Sequence, residues 1–360
     1  MTNNTISIRK VTKSKVSEID FDNIPFGKVF SDHMFEADYK DGVWQNFEIR
    51  PLEPLQIHPG NLAWHYGQSI FEGMKASVSK DGVPMLFRPE KHIERLNRSA
   101  ERMCMPAFPE QMFLDAVNTL VSLESGWIPP SEGSALYLRP LMIATDEAIG
   151  VRPSATYKML IMCLPVGPYY SKPVSLKVEE KYIRAAQGGV GEAKTAGNYA
   201  ASLYPAKMAN QEGYDQIMWM DSKEFKYIQE VGTMNIFFVI GDKVITPSTT
   251  GTILKGITRS TAMDILRSKN IEVEEKNITI DEIIEAHKSG ELKEVFGTGT
   301  AAVVAKVAKI GFRGHDYELP DSFEIGNTIK SVINGLRLGT VEDTWGWTVP
   351  AKNVLEVVTI

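Results

Sequence analysis

Two apolar runs most constrain what this chain can fold into: SALYLRPLMIAT, starting at Ser134, and YKMLIMCLPV, starting at Tyr157. Neither approaches the length of about 20 apolar residues that a membrane-spanning helix needs. Both are predicted to be buried strands. The stretches around them carry the punctuation of a mixed fold. SIFEGMKASVSKDGVPMLFR reads as two strands around the turn KDG, and PEKHIERLNRSAERM as a helix with Pro89 in its first turn and Ile93 and Leu96 facing inward. EQMFLDAVNTLVSLES is a second amphipathic helix.

The character changes after GPYYSKPVSLKV, where two prolines and a glycine suggest a linker. Beyond it, NYAASLYPAKMANQEG reads as a helix, QIMWMD as a strand and TMNIFFVIGDKVITP as a hairpin. TRSTAMDILRSK and TIDEIIEAHKSG read as helices, the second opened by a Thr279/Glu282 capping box. With 360 residues the chain is long for one core. The expectation is an α+β fold in two domains: a small α/β domain over 1–167, a linker over 168–181 and a larger domain over 182–360.

A net charge of −6 argues against a general nucleic-acid binder. The N-terminus is polar, with no signal-peptide core, and no membrane segment is predicted. Two cysteines, Cys104 and Cys163, with no CxxC pair, argue against a disulfide framework or a structural metal site. Both are expected to be buried, and the chain is expected to be cytoplasmic.

Chemistry concentrates in the second half. In GEAKTAGNYA, Lys194 is set among small residues, a setting that a surface lysine does not need and that lets something flat lie close to the backbone. GGVGEAKTAG, TTGTILKGITRS and FGTGTAA are small-residue stretches able to offer backbone amides to an anion, the second leading into a helix start. In YIQEVGTMN, Glu230 closes a strand-like run. Its bland reading is a solvated carboxylate; its sharper one is a carboxylate facing a protonated ring nitrogen. An amine, an anion and an amide cradle are what pyridoxal 5'-phosphate requires.

FGKVFSDHM, HYGQSIFEGMKA, RLNRSAERM, YLRP, GGVGEAKTAGNY, EVGTMN, GITR and FGTGTA occur in this order. Together they resemble the branched-chain amino acid aminotransferases, two-domain pyridoxal phosphate enzymes of fold type IV with the cofactor at the domain interface. The resemblance implies that Lys194 is the catalytic residue that carries the cofactor, that Tyr199 bonds its ring hydroxyl and that Glu230 pairs with its ring nitrogen. It places Arg95, Ile257, Thr258 and Thr300 on the phosphate, with Thr233 nearby. Phe26, Tyr66, Phe71, Tyr137 and Tyr169 would form an aromatic substrate pocket with Arg139 at its edge. Thr300 and Ala301 would receive the substrate α-carboxylate, and Ile149 and Val151 would reach in from the partner of a homodimer. Branched-chain amino acids, glutamate and 2-oxo acids are the implied substrates.

The sequence departs from the family in one place. Members with a redox-active CxxC carry it just after the GTGTA-like turn, where this chain has Ala302-Val303-Val304-Ala305. D-amino acid aminotransferases and 4-amino-4-deoxychorismate lyases share the lysine and the acidic residue; EVGTMN, FEGMKA and the long N-terminal segment favour the branched-chain group. A non-catalytic binding protein would not need both Lys194 and Glu230.

Overall fold

The computed structural model describes residues 5–131, 133–170 and 172–352. The chain divides into two compact units, one of Met1–Tyr169, Ala193–Ala196 and Asn334–Ile360, the other of Tyr170–Glu192 and Gly197–Ile333. Among the described residues each unit is built on a nine-stranded sheet with helices, an α+β arrangement.

The centre of the first sheet is the pair of apolar runs. Ala135–Ala144 and Tyr157–Val166 lie antiparallel over their whole length, and Met142, Met159 and Ile161 are fully enclosed. His33–Lys40 follows on one side, and Met74–Val78 with Pro84–Phe87 on the other. The helices Pro89–Arg102 and Glu110–Leu123 share the core, the first burying Ile93 and Leu96 and the second Phe113, Val117 and Leu120. SIFEGMKASV forms two strands, Ser69–Phe71 and Met74–Val78, interrupted by Glu72 and Gly73.

In the second unit Val174–Val178 runs parallel to both Gln216–Met220 and Val303–Phe312. Leu292–Gly299 pairs with Val303–Phe312 and with Asn235–Ile240. The hairpin expected at GDK joins Asn235–Ile240 to Lys243–Thr246. The capping box is complete: Glu282 N–H donates to Thr279 Oγ1 at 3.1 Å and Thr279 N–H to Glu282 Oε2 at 2.8 Å.

Three features differ from the sequence reading. The stretch read as a linker contains the strand Val174–Val178, whose Val174, Leu176 and Val178 are buried. There the alternating pattern outweighs the flanking prolines. The segments 193–196 and 334–352, assigned by sequence to the second domain, cluster with the first unit. Thr195 bridges to Ile70, Thr348–Pro350 pairs with Pro84–Phe87, and Arg337 donates to Ser77 Oγ at 2.9 Å. Cys163 is buried as expected, but Cys104 is exposed. It takes a left-handed φ of 53° just past the helix Pro89–Arg102.

Among the described residues no helix is long and apolar enough to cross a membrane, and no group of three or more His, Cys, Asp or Glu could hold a metal ion.

Candidate active site

The helix Pro89–Arg102 presents His92, Arg95 and Ser99 along one face, at the spacing of successive turns. The last of these reaches the lysine segment: Lys194 N–H donates to Ser99 Oγ at 2.9 Å. On its other side the Lys194 carbonyl accepts from Phe71 N–H at 3.0 Å. The lysine backbone is therefore pinned from two elements, and its Nζ lies 4.6 Å from the centroid of the Phe71 ring. Arg95 is buried and forms a fork with Glu72, Nε to Oε1 at 2.7 Å and Nη2 to Oε2 at 2.9 Å.

An aromatic group adjoins Phe71. The Phe26 ring meets Tyr169 edge-on at 5.0 Å and Tyr137 at 6.0 Å. Arg139 donates from Nη2 to Tyr137 Oη at 3.2 Å and lies over the Phe71 ring at 4.8 Å. Among the described residues its buried Nε has no hydrogen-bond partner and no carboxylate pairs with it. A guanidinium between rings with an unfilled donor is ready for an anionic ligand. Phe26, Phe71, Tyr137, Arg139 and Tyr169 are thus brought together. Tyr66, Ile149 and Val151 are exposed, Val151 at 89%.

With the substrates that the resemblance implies, Arg139→Ala should raise the KM for glutamate and 2-oxoglutarate at least about tenfold, the scale of one charge-assisted contact worth about 1.5–3 kcal/mol. Leucine should be affected much less. Steady-state kinetics with both substrates on one variant checks this, since equal losses would make Arg139 a purely structural residue.

Lys75 is 6% exposed, although its setting in FEGMKA suggests a lysine more exposed than Lys194. The strand Met74–Val78 points it inward opposite Tyr137. Burial, and then the charge of Arg337, pull its ammonium down to about 7 from the 10.5 of an exposed lysine. A lysine whose value is depressed on folding binds its proton more tightly in the unfolded chain. Stability should therefore rise with pH from about 7 toward 10. Urea unfolding at about pH 7 and about pH 9 should show the wild type gaining on Lys75→Met; a constant difference would contradict the assignment.

Tyr199, Glu230 and Thr233 belong to the second unit. Glu230 is 3% exposed at the end of Ile228–Val231. Its carboxylate pairs with the Arg184 guanidinium and accepts from Asn235 Nδ2 at 3.3 Å and Leu254 N–H at 3.4 Å. Arg184 also donates to the carbonyls of Gly191, at 3.0 Å, and Thr252. A small cleft is lined by Tyr199, Glu230, Thr233 and Arg184, with Asn198, Ser202, Gly232 and Leu254.

The turn at 231–235 ties this carboxylate to two possible anion cradles. Asn235 also donates to Leu254 O at 2.9 Å, and its Oδ1 would stand 1.9 Å from a Cβ placed on Gly256. Gly256 precedes the helix Ile257–Ser268, which no side chain caps. Its first-turn N–H groups, including those of Ile257 and Thr258, are arranged to meet an anion. Met234 backs the strand leading to the other cradle, its Cε 2.8 Å from a Cβ placed on Gly297. Thr300 and Ala301 lie in the turn just beyond that strand.

Sequence reasoning missed Glu72, His92, Ser99, Arg184 and Asn235. Glu72 left one signal, a carboxylate between strand-like runs. The others look like ordinary helix or turn residues until their partners are known.

The profile of the amino-transferase class IV family matches residues 69–310. Branched-chain-amino-acid aminotransferase 2 of Bacillus subtilis (strain 168) is 44% identical over 362 residues, covering 99% of this chain and 99% of the relative. Branched-chain-amino-acid transaminase 1 of the same strain is 47% identical over 338 residues, 92% of this chain and 95% of the relative. Among solved structures, the Escherichia coli branched-chain amino acid aminotransferase superposes with a TM-score of 0.75 at 26% identity, over 89% of this chain and 99% of that one. The fold also matches a T.th. branched-chain amino acid aminotransferase complexed with N-(5'-phosphopyridoxyl)-L-glutamate, with a TM-score of 0.74 at 23% identity, over 90% of this chain and 100% of that one.

Proposed function

We propose, for a chain that belongs to the class IV aminotransferases and within them to the branched-chain group, a transaminase that moves the amino group between leucine, isoleucine or valine and 2-oxoglutarate, with pyridoxal 5'-phosphate as cofactor. The observation that carries the reading is the second unit's cleft, where Tyr199, Glu230 and Thr233 meet. A buried carboxylate, a phenol and a nearby uncapped helix start form a donor and acceptor set that fits a ring nitrogen, a ring hydroxyl and a phosphate.

Bound pyridoxal phosphate would supply the electron sink that makes the substrate Cα proton removable. Lys194 Nζ would carry the cofactor, then take the Cα proton as general base and return it. Glu230 would hold the proton on the ring nitrogen by its charge, and Tyr199 would donate to the ring hydroxyl oxygen. Arg95, Ile257, Thr258 and Thr300, with Thr233 nearby, would receive the phosphate. The aromatic walls of Phe26, Tyr66, Phe71, Tyr137 and Tyr169 suit a branched aliphatic chain. Arg139 would meet the γ-carboxylate of glutamate, and the amides near Thr300 and Ala301 the α-carboxylate. Turnover should be ping-pong.

The enzyme would work in the cytoplasm, where unpaired cysteines stay reduced. It would work as a homodimer: Ile149 and Val151 gain nothing from their exposure, and a partner's pocket would cover them. Mixing Lys194→Ala with Val151→Asp subunits should restore activity in hybrid dimers, one of whose sites has both an intact lysine and an intact partner loop. Verified hybrids without activity would show that each chain builds its site alone.

The reading is tested by assaying the purified protein with a panel of L-amino acids and 2-oxoglutarate. Leucine, isoleucine and valine should lead the panel. Preference for aspartate or an aromatic amino acid would overturn the substrate assignment.

A further inference from the structure

The fork between Glu72 and Arg95 lies in a tightly held frame. Glu72 is 0% exposed, and its own N–H donates to Pro140 O at 2.8 Å. His92 Nδ1 donates to Glu72 Oε2 at 2.8 Å, and Gly73 N–H reaches the same oxygen at 3.2 Å. Phe71, the preceding residue, holds the Lys194 carbonyl, and Ser99, one turn beyond Arg95, holds the Lys194 amide. One strand break and one helix face thus set both the lysine backbone and the arginine head.

We infer that Glu72 is the positioning residue for the cofactor phosphate: by taking the Nε and Nη2 edge of Arg95 it fixes the direction in which the guanidinium meets that anion. This rests on the reading that Arg95 contacts the phosphate. An arginine side chain has several rotatable bonds, and a two-pronged carboxylate contact removes most of that freedom. Burial pushes the Glu72 carboxyl up, but Arg95 and His92 outweigh it and hold the group well below the usual carboxylate range. Burial, with the neighbouring charges of Arg95 and Lys194, depresses the imidazole of His92 against the pull of Glu72. Near neutral pH the fork is a full ion pair with His92 as a neutral donor behind it.

The alternative is that Glu72 only neutralises Arg95, and the two roles predict opposite signs. Removing a neutralising charge would strengthen phosphate binding; removing an orienting one weakens it. The test uses the full-length chain stripped of cofactor, with pyridoxal 5'-phosphate, unphosphorylated pyridoxal and inorganic phosphate as calorimetric probes.

Glu72→Gln should bind the phosphorylated cofactor and inorganic phosphate at least about tenfold more weakly, the scale of one charge-assisted contact. Pyridoxal should bind as in the wild type. Glu72→Asp, a carboxylate one methylene short, should fall between, and it carries the test if Glu72→Gln does not fold. Unchanged or tighter phosphate binding would overturn the inference, as would equal losses for pyridoxal and its phosphate. A wild type with no preference for the phosphorylated cofactor would instead overturn the cofactor reading itself.

Discussion

Lys194→Ala is expected to abolish transamination, with kcat/KM falling by at least about 10⁴-fold, the upper range for removing a positioned general base that also carries the cofactor. The visible absorbance of the holoenzyme should go with it. The pinned backbone of Lys194 and the nearby Phe71 ring give this residue a fixed place, which a catalytic amine needs. Borohydride reduction of the wild type followed by peptide mapping should mark Lys194. Lys75 is a demanding control, because a buried lysine with its ammonium pulled to about 7 is partly neutral and nucleophilic near physiological pH. A mark on Lys75 would reassign the chemistry.

Glu230→Gln is expected to retain the cofactor but lose at least about a hundredfold in kcat, since breaking a charge pair in a dry site costs about 3–5 kcal/mol. An amide cannot hold the ring nitrogen protonated. It also leaves the Arg184 guanidinium, which pairs with Glu230, without its counter-charge. A modest fall in melting temperature should accompany the kinetic loss. Near wild-type kcat in a folded, cofactor-loaded variant would remove Glu230 from the mechanism.

Local signals in the sequence led directly to structure. The Thr279/Glu282 capping box and the GDK hairpin each depend on a few neighbouring residues, and both are present. The apolar runs at 135–144 and 157–166 read as buried strands because nothing else suits their length and composition. Pro168 and Pro173 are a poorer guide to 168–181 than the alternation of Val174, Leu176 and Val178. The burial of Lys75 is not legible in FEGMKA, because a strand's burial depends on which face its partners cover.

The site was legible in part because its motifs are contiguous. GGVGEAKTAGNY, EVGTMN, GITR and FGTGTA each place a candidate residue without reference to any other segment. What was not legible is what holds them. Lys194 depends on Ser99, 95 residues away, and Arg95 on Glu72, 23 residues away. Asn235 is recognisable as a strut only once Glu230, Leu254 and Gly256 are seen around it. Such supports are side chains of ordinary type whose meaning comes from tertiary partners, so no local pattern announces them.

The central claim, amino-group transfer from a branched-chain L-amino acid held by the protein between two half-reactions, is tested most directly by a single-turnover experiment. Cofactor-loaded enzyme is mixed with L-leucine or D-leucine in the absence of any acceptor, and 4-methyl-2-oxopentanoate is measured against enzyme concentration. About one equivalent per chain is expected from L-leucine, little from D-leucine, with recovery of the starting absorbance when 2-oxoglutarate is then added. No product without an acceptor, or a full equivalent from D-leucine alone, would contradict it.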